Sequence, residues 1–340
     1  MKIGVLGAGA IGAHVGVRLA AAGAEVTLVG RRALIDDHEA GRLAARTLDG
    51  RRITPPPSLV CTSEVEALAD VDLCLVCVKS RDTEAAGRSL ARELRPETLV
   101  VSLQNGLRNQ DLLRQAGLAD ALAGMVSFNV FGHAGEYRQA TSGPLMIERP
   151  SRPSATLEQL RELAERAELE LEIRDDMPAV QAGKLLLNLN NAICSLAGVS
   201  IAESLRTRAL RRCFAASMAE GIAILQGAGI PIARVGALPP RMIAKLLPLP
   251  DAIVLRVAKS LIEIDPGARS STLQDLERGR PTEIDALDGE LVRLADQHRL
   301  ACPIHRWIVE QIHRMEGQSP IEFFTPERLW AEIEAKASQG

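Results

Sequence analysis

The stretch that decides the fold is residues 2–29, "KIGVLGAGAIGAHVGVRLAAAGAEVTLV". "KIGVL" reads as a short apolar strand, and "GAGAIG" follows it at once. "AHVGVRLAAAG" then reads as a helix closed by Gly23, and "AEVTLV" as a second strand. Gly7, Gly9 and Gly12 keep the G-x-G-x-x-G spacing. In this context Gly7 permits the tight turn and Gly9 lets the backbone approach a pyrophosphate. Gly12 lets helix and strand pack closely, and the helix N-terminus faces the phosphates. The spacing predicts a dinucleotide site over Gly7, Ala8, Gly9, Ala10, Ile11 and Gly12. The same glycines argue against a secretory leader, since no charged head precedes an unbroken apolar run.

The residues after the second strand select the dinucleotide. NAD sites place a carboxylate there to hold the ribose 2′-hydroxyl. This chain has "VGRR": Gly30 fills that position, and Arg31 and Arg32 follow. A guanidinium grips a 2′-phosphate that a carboxylate would repel, so NADPH/NADP+ is the expected cofactor; the other reading of Arg31 and Arg32 is two surface arginines at a loop start. Two more strand-like runs end in polar residues: "VDLCLVCV" reaches Lys79, and "ETLVVSL" reaches Gln104, Asn105 and Gly106. In an open α/β sheet, ligands sit beyond the carboxyl ends of strands, so the glycine loop, Arg31, Lys79 and Asn105 should gather on one edge. Further strand-like runs cover 124–131, 143–148 and 169–174, with an amphipathic helix over roughly 156–167.

After residue 176 the strand signals stop. The expected division is a Rossmann-type domain with a parallel sheet over 1–176 and an all-α domain over 177–340. "GKLLLNLNNAICSLAG" (183–198) reads as a leucine-rich helix that nevertheless carries a lysine and three asparagines. At 100° per residue, Gln181, Lys184, Asn188, Asn191 and Ser195 share one narrow stripe, and Asn190 points away. Such a stripe is either a solvent-facing side or the lining of a wet cleft. The proline-rich segment 238–251 reads as a loop with at most a short helix. In "SSTLQDLERGRPTEIDALDGELVRLADQH" (270–298) a helix should run to Arg278 and break at Gly279-Arg280-Pro281. Thr282 should then cap a new one, with Asp285 three residues on. That places Glu283 in a first turn, where it either complements the helix dipole or serves a site.

Bulk properties set the outer bounds. With 340 residues, two cores are affordable, and 46% apolar with 24% charged residues is an ordinary globular composition. A formal charge of −3 leaves no basic footprint for nucleic acid or an anionic membrane, and no apolar run is long enough to span one. Six cysteines include one C-x-x-C, Cys74 and Cys77, within a strand-like run. With no second pair, buried thiols in a reducing cytoplasm are expected and no metal site.

Taken together, "GAGAIG", Lys79 and "QNG" at strand ends, "GKLLLN" and "SSTLQDLERGRPTEID" resemble the ketopantoate reductase (2-dehydropantoate 2-reductase) family over almost the whole chain. The resemblance implies an active site in a cleft between a Rossmann domain and a helical domain. It implies Lys184 as the catalytic lysine, Asn188 as its companion asparagine, and Ser271 and Glu283, twelve residues apart, as substrate ligands. It also implies Lys79 and Asn105 beside the nicotinamide and Arg31 on the 2′-phosphate. The polar stripe would then face the cleft. The chain departs from the pattern at Ala192, where many members carry a second asparagine. Asn191 precedes it on the stripe as a candidate replacement.

The function implied is NADPH-dependent reduction of 2-dehydropantoate to pantoate, a step toward pantothenate and coenzyme A. Lys184 would be the general acid and Glu283 either a partner of the substrate 4-hydroxyl or an orienter of Lys184. The small-molecule 2-oxo acid would be the only ligand besides the cofactor, with a homodimer as the candidate assembly. Three alternatives stand beside it: a reductase of a different branched 2-oxo acid, an opine- or 6-phosphogluconate-type dehydrogenase, and an NADPH sensor. The second would not explain Ser271 and Glu283 at their spacing, and the third has no need of Lys184.

Overall fold

The computed structural model describes residues 1–257 and 268–339. Its chain divides into two compact units, Met1–Met177 and the residues from Pro178 onward.

The first unit is built on an eight-stranded sheet. Its strands are β1 (Lys2–Leu6), β2 (Glu25–Val29), β5 (Val60–Thr62), β6 (Leu73–Val76), β7 (Leu99–Ser102), β8 (Leu122–Val126), β11 (Leu145–Glu148) and β12 (Leu171–Arg174). The order is β12-β11-β8-β7-β6-β1-β2-β5. Six neighbours from β5 to β8 run parallel, while β11 lies antiparallel to β8. The chain lays β2 on one side of β1 and returns to lay β6 on the other, so order reverses there. Leu6 pairs with both Val29 and Val76, and Val76 pairs with Ser102. The carboxyl ends of β1, β2, β6 and β7 are therefore level, and the turns that follow them share one edge. Both faces are covered: Ile3, Val5, Leu28 and Leu75 are buried on one, Leu6, Val29, Cys74 and Val76 on the other. Burial on two faces is why these strands read as continuous apolar runs.

A second sheet was not legible in the sequence. β3 (Ala44–Arg46), β4 (Arg52–Ile53), β9 (Val130–His133) and β10 (Glu136–Gln139) form it in the order β4-β3-β10-β9. The expected single strand over 124–131 is thus two: β8 ends at Val126 and β9 starts at Val130 in the other sheet. The chain turns where Ser127 Oγ donates to the Pro144 carbonyl and the Asn129 amide donates to Thr141 Oγ1 (2.8 Å). The helix Ala10–Ala21 packs on this sheet through His14, whose Nδ1 lies 2.9 Å from the Tyr137 carbonyl and must donate to it. Burial pushes His14 down to about 4, so it is neutral at physiological pH.

The described residues of the second unit are helical. Met177–Asn188 and Asn190–Ala197 meet at Leu189, whose φ of −58° and ψ of −26° keep the two nearly continuous. The long helix Arg208–Gly227 packs against Pro240–Leu246, Asp288–His298, Pro303–Met315 and Pro326–Ala337. Leu185, Leu186 and Leu189 are buried, and Leu186 and Leu189 close on Gly221, where a Cβ would meet them at 2.9 and 3.3 Å. No helix among the described residues is long and apolar enough to cross a membrane.

Two expectations for this unit need correction. The segment 238–251 is not chiefly loop: Pro240–Leu246 is a helix with proline at its first position, and Asp251–Val257 is another. The fully buried Arg211 fixes this segment by donating to the carbonyls of Leu247 (2.9 Å) and Leu249 (3.2 Å), and to those of Leu205 and Arg206. Nor does Thr282 cap a long helix. A short 3-10 turn, Ile284–Ala286, comes first, and the helix starts at Asp288. Thr282 Oγ1 does accept from the Ile284 amide (3.3 Å), but it caps only that turn.

Candidate functional site

The glycine loop shows three different reasons for glycine. Gly7 has a φ of +89°, and a Cβ there would lie 2.5 Å from the Val78 backbone nitrogen. At Gly12 a Cβ would lie 2.9 Å from Val5 Cγ1 and from the Gly7 carbonyl oxygen. Gly9 is different: its φ of −78° suits any residue, and the nearest atom to a Cβ is 3.9 Å away. Nothing in the protein itself requires a glycine there. The open space lies at the N-terminus of Ala10–Ala21, which has no side-chain cap and no acid in its first turn. That is a cradle suited to an anion. Gly7→Ala should therefore lower stability by roughly 2–3 kcal/mol, since strain and backbone overlap add. Gly9→Ala should melt as wild type yet bind dinucleotide more weakly. Calorimetric melting with titration of the cofactor separates the two, and an unimpaired Gly9→Ala would remove the cradle from the site.

The two arginines after β2 are not equivalent. Arg32 Nε donates to Asp36 (2.8 Å), and its Nη2 is 3.4 Å from Glu39. Arg31 is exposed at the N-cap of Arg32–Glu39; its carbonyl accepts from the Leu34 amide (2.9 Å), and its guanidinium has no hydrogen-bond or ion-pair partner among the described residues. A Cβ at Gly30 would meet Leu34 Cδ2 at 2.7 Å, so a larger residue there needs the end of that side chain to shift.

Lys79 and Asn105 follow β6 and β7 and are held on the same edge by a buried network that the sequence reading missed. Gln104 Nε2 donates to the Val78 carbonyl (3.0 Å) and to Thr83 Oγ1 (2.7 Å), and its Oε1 accepts from Ser102 Oγ (3.0 Å). Thr83 Oγ1 donates to Asn109 Oδ1 (2.8 Å). Asn109 Nδ2 and Ser80 Oγ both donate to the Asn105 carbonyl, at 2.6 and 2.9 Å. Lys79 thus precedes a turn tied to Asn105, and Val78 touches the glycine loop. The only sequence signal for the network was Gln104 beside Asn105 at a strand end.

In the second unit the polar stripe is not a solvent-facing side. Gln181 and Ser195 are buried, and Lys184, Asn188 and Asn191 are half-buried. Burial draws the Lys184 ammonium down from its usual 10.5 to about 8. The chain crosses the helix at Gly183, where a Cβ would sit 2.4 Å from the Ala233 carbonyl oxygen, and the Ala233 amide donates to Ala179 O (2.9 Å). That crossing fixes the turn carrying Lys184. Ser195 Oγ (2.7 Å) and Ser270 Oγ (3.1 Å) both donate to the Asn191 carbonyl. Ser270 also caps Ser271–Glu277, accepting from the Leu273 amide (3.2 Å). The stripe and the "SST" segment are therefore joined, but through buried Ser270, which the sequence reading passed over. Ser271 beside it is exposed. Ala192 is buried. Glu283 is half-buried between Thr282 and Ile284, both buried.

Residues 3–152 match the family model described as "Ketopantoate reductase PanE/ApbA", and residues 176–316 match that described as "Ketopantoate reductase PanE/ApbA C terminal". A "2-dehydropantoate 2-reductase" of Halobacterium salinarum is 28% identical over 326 residues, covering 92% of this chain and 98% of its own. Among solved structures, a PanE/ApbA family ketopantoate reductase from Ralstonia eutropha JMP134 superposes with a TM-score of 0.78 at 28% identity, covering 93% of this chain and 98% of its own. A D-mandelate dehydrogenase complex with NADH superposes at 0.76 with 22% identity over 93% of this chain and 98% of its own, a likeness of fold alone.

Proposed function

The chain belongs to the ketopantoate reductase family, and from that premise we propose that it reduces 2-dehydropantoate to pantoate with NADPH. The observation that carries this reading is Lys184: a lysine drawn to about 8 by burial, on a polar stripe of a helix otherwise packed with leucine. A general acid works best when its pKa lies near the operating pH.

NADPH supplies the hydride when bound. The open cradle at Gly9 would receive its pyrophosphate on the first-turn amides of Ala10–Ala21, and Arg31 its 2′-phosphate. Lys79 and Asn105 would flank the nicotinamide. Lys184 polarises the 2-oxo carbonyl through its ammonium and gives up a proton as the carbonyl oxygen becomes a hydroxyl. Asn188 and Asn191 hold the substrate beside Lys184, Ser271 helps hold the carboxylate, and Glu283 accepts from the 4-hydroxyl.

NADPH oxidation measured against a panel of branched 2-oxo acids tests the reading. The highest kcat/KM should fall on 2-dehydropantoate, with NADPH preferred to NADH. A protein that binds NADPH but turns over another acid faster supports the second reading, a different branched substrate, which the departure at Ala192 favours. We also place the protein in the cytoplasm, which suits six unbridged cysteines, and as a homodimer, which light scattering would check.

A further inference from the structure

Glu283 sits in a short segment whose own backbone gives it little support, a single 3-10 turn before the helix Asp288–His298. The helix Pro303–Met315 and the residue after it add support on either side of it. One carboxylate oxygen of Glu316, Oε1, accepts from both the amide (2.8 Å) and the hydroxyl (2.7 Å) of Thr282, the residue before Glu283. The other oxygen, Oε2, lies 3.2 Å from His313 Nδ1, and His313 Nε2 lies 2.9 Å from Asp285 Oδ1, two residues after Glu283. Farther on, buried Asp288 meets buried His305 Nδ1 at 2.8 Å. The segment is thus pinned immediately before and after the carboxylate it presents.

We infer that Glu316, with His313 as its bridge, is a positioning residue for Glu283 and so sets affinity for the 2-oxo acid without touching it. The inference rests on the reading of Glu283 as a substrate ligand. Both ring nitrogens of His313 face carboxylate oxygens, so both bonds form only when the ring is protonated. Burial alone would lower His313, but Glu316 and Asp285 outweigh it and raise it above its usual value. Burial would likewise raise Glu316, yet Thr282 and His313 hold it below the ordinary carboxylate range. Each group thus favours the charge state that keeps the clamp closed.

The test is a double-mutant cycle on the full-length enzyme. Glu316→Ala should raise KM for the 2-oxo acid by roughly tenfold, the scale of losing hydrogen bonds to a charged acceptor, while NADPH affinity and kcat change less than threefold. Glu316→Gln keeps an acceptor for Thr282 and should recover most of the loss. Glu283→Ala should raise KM on its own, and adding Glu316→Ala to it should cost little more, because the clamp then has nothing to place. Additive losses, or a Glu316→Ala enzyme with wild-type KM beside an impaired Glu283→Ala, would overturn the inference. A Glu283→Ala enzyme with wild-type KM would overturn the assignment of Glu283 itself.

Discussion

Arg31→Ala is expected to weaken NADPH binding by roughly 10–150-fold and to leave NADH binding nearly unchanged. A charge-assisted contact to phosphate contributes ~1.5–3 kcal/mol, and NADH lacks the phosphate that would receive it. The prediction is specific to Arg31 because Arg32 is already engaged by Asp36 and Glu39. Arg32→Ala should therefore have the smaller effect on NADPH. Arg31 is exposed, so added salt should narrow the gap between the wild type and Arg31→Ala. Isothermal titration of both cofactors at two ionic strengths would decide it. Equal losses for NADPH and NADH would move the 2′-phosphate contact to another residue.

How much of this was legible in the sequence depended on whether the signal was local. The glycine loop was, because its spacing stands between a strand and a helix within one short stretch, and the Rossmann-type fold expected from it is the one found. The polar stripe was local too, since helical periodicity alone gathers Gln181, Lys184, Asn188, Asn191 and Ser195. What the sequence did not disclose were pairings between distant segments. β3 has three residues and pairs with β10 some ninety positions away, so neither carries a strand pattern of its own. Ser270 and Ser271 look alike as letters, and only the fold shows that the first bonds to Asn191 while the second is exposed. Glu316 was silent for the same reason: its role is defined by Thr282, thirty-four residues earlier. Thr282 itself was misjudged because it matched a capping pattern, whereas Leu287, with φ of −109° and ψ of −95°, interposes a turn before the helix.

Lys184→Ala should lose roughly 10²–10⁴ in turnover, the range that a positioned general acid contributes, while still binding NADPH. The cofactor contacts expected from the glycine loop and Arg31 belong to the other unit, so binding and chemistry should separate cleanly in this variant. The pH profile supplies an independent reading. Lys184 donates only as an ammonium, so the wild-type rate should fall as pH rises through about 8, and the alanine variant should lack that limb. Stability should move the opposite way. Because the folded-state pKa lies below the usual 10.5, the native protein carries an unfavourable buried charge at every pH below about 8. That cost is relieved as pH rises from about 8 toward 10.5. Lys184→Met, which keeps most of the length and removes the charge, should therefore melt at a higher temperature than the wild type at pH 7 and lose the advantage above pH ~10. A residue kept where it lowers stability and gains reactivity is what a catalytic acid requires. If Lys184→Met melts no higher and Lys184→Ala turns over within a few-fold of the wild type with the same pH limb, the proton comes from elsewhere. Lys79, the other lysine expected at the cofactor, would be next to substitute.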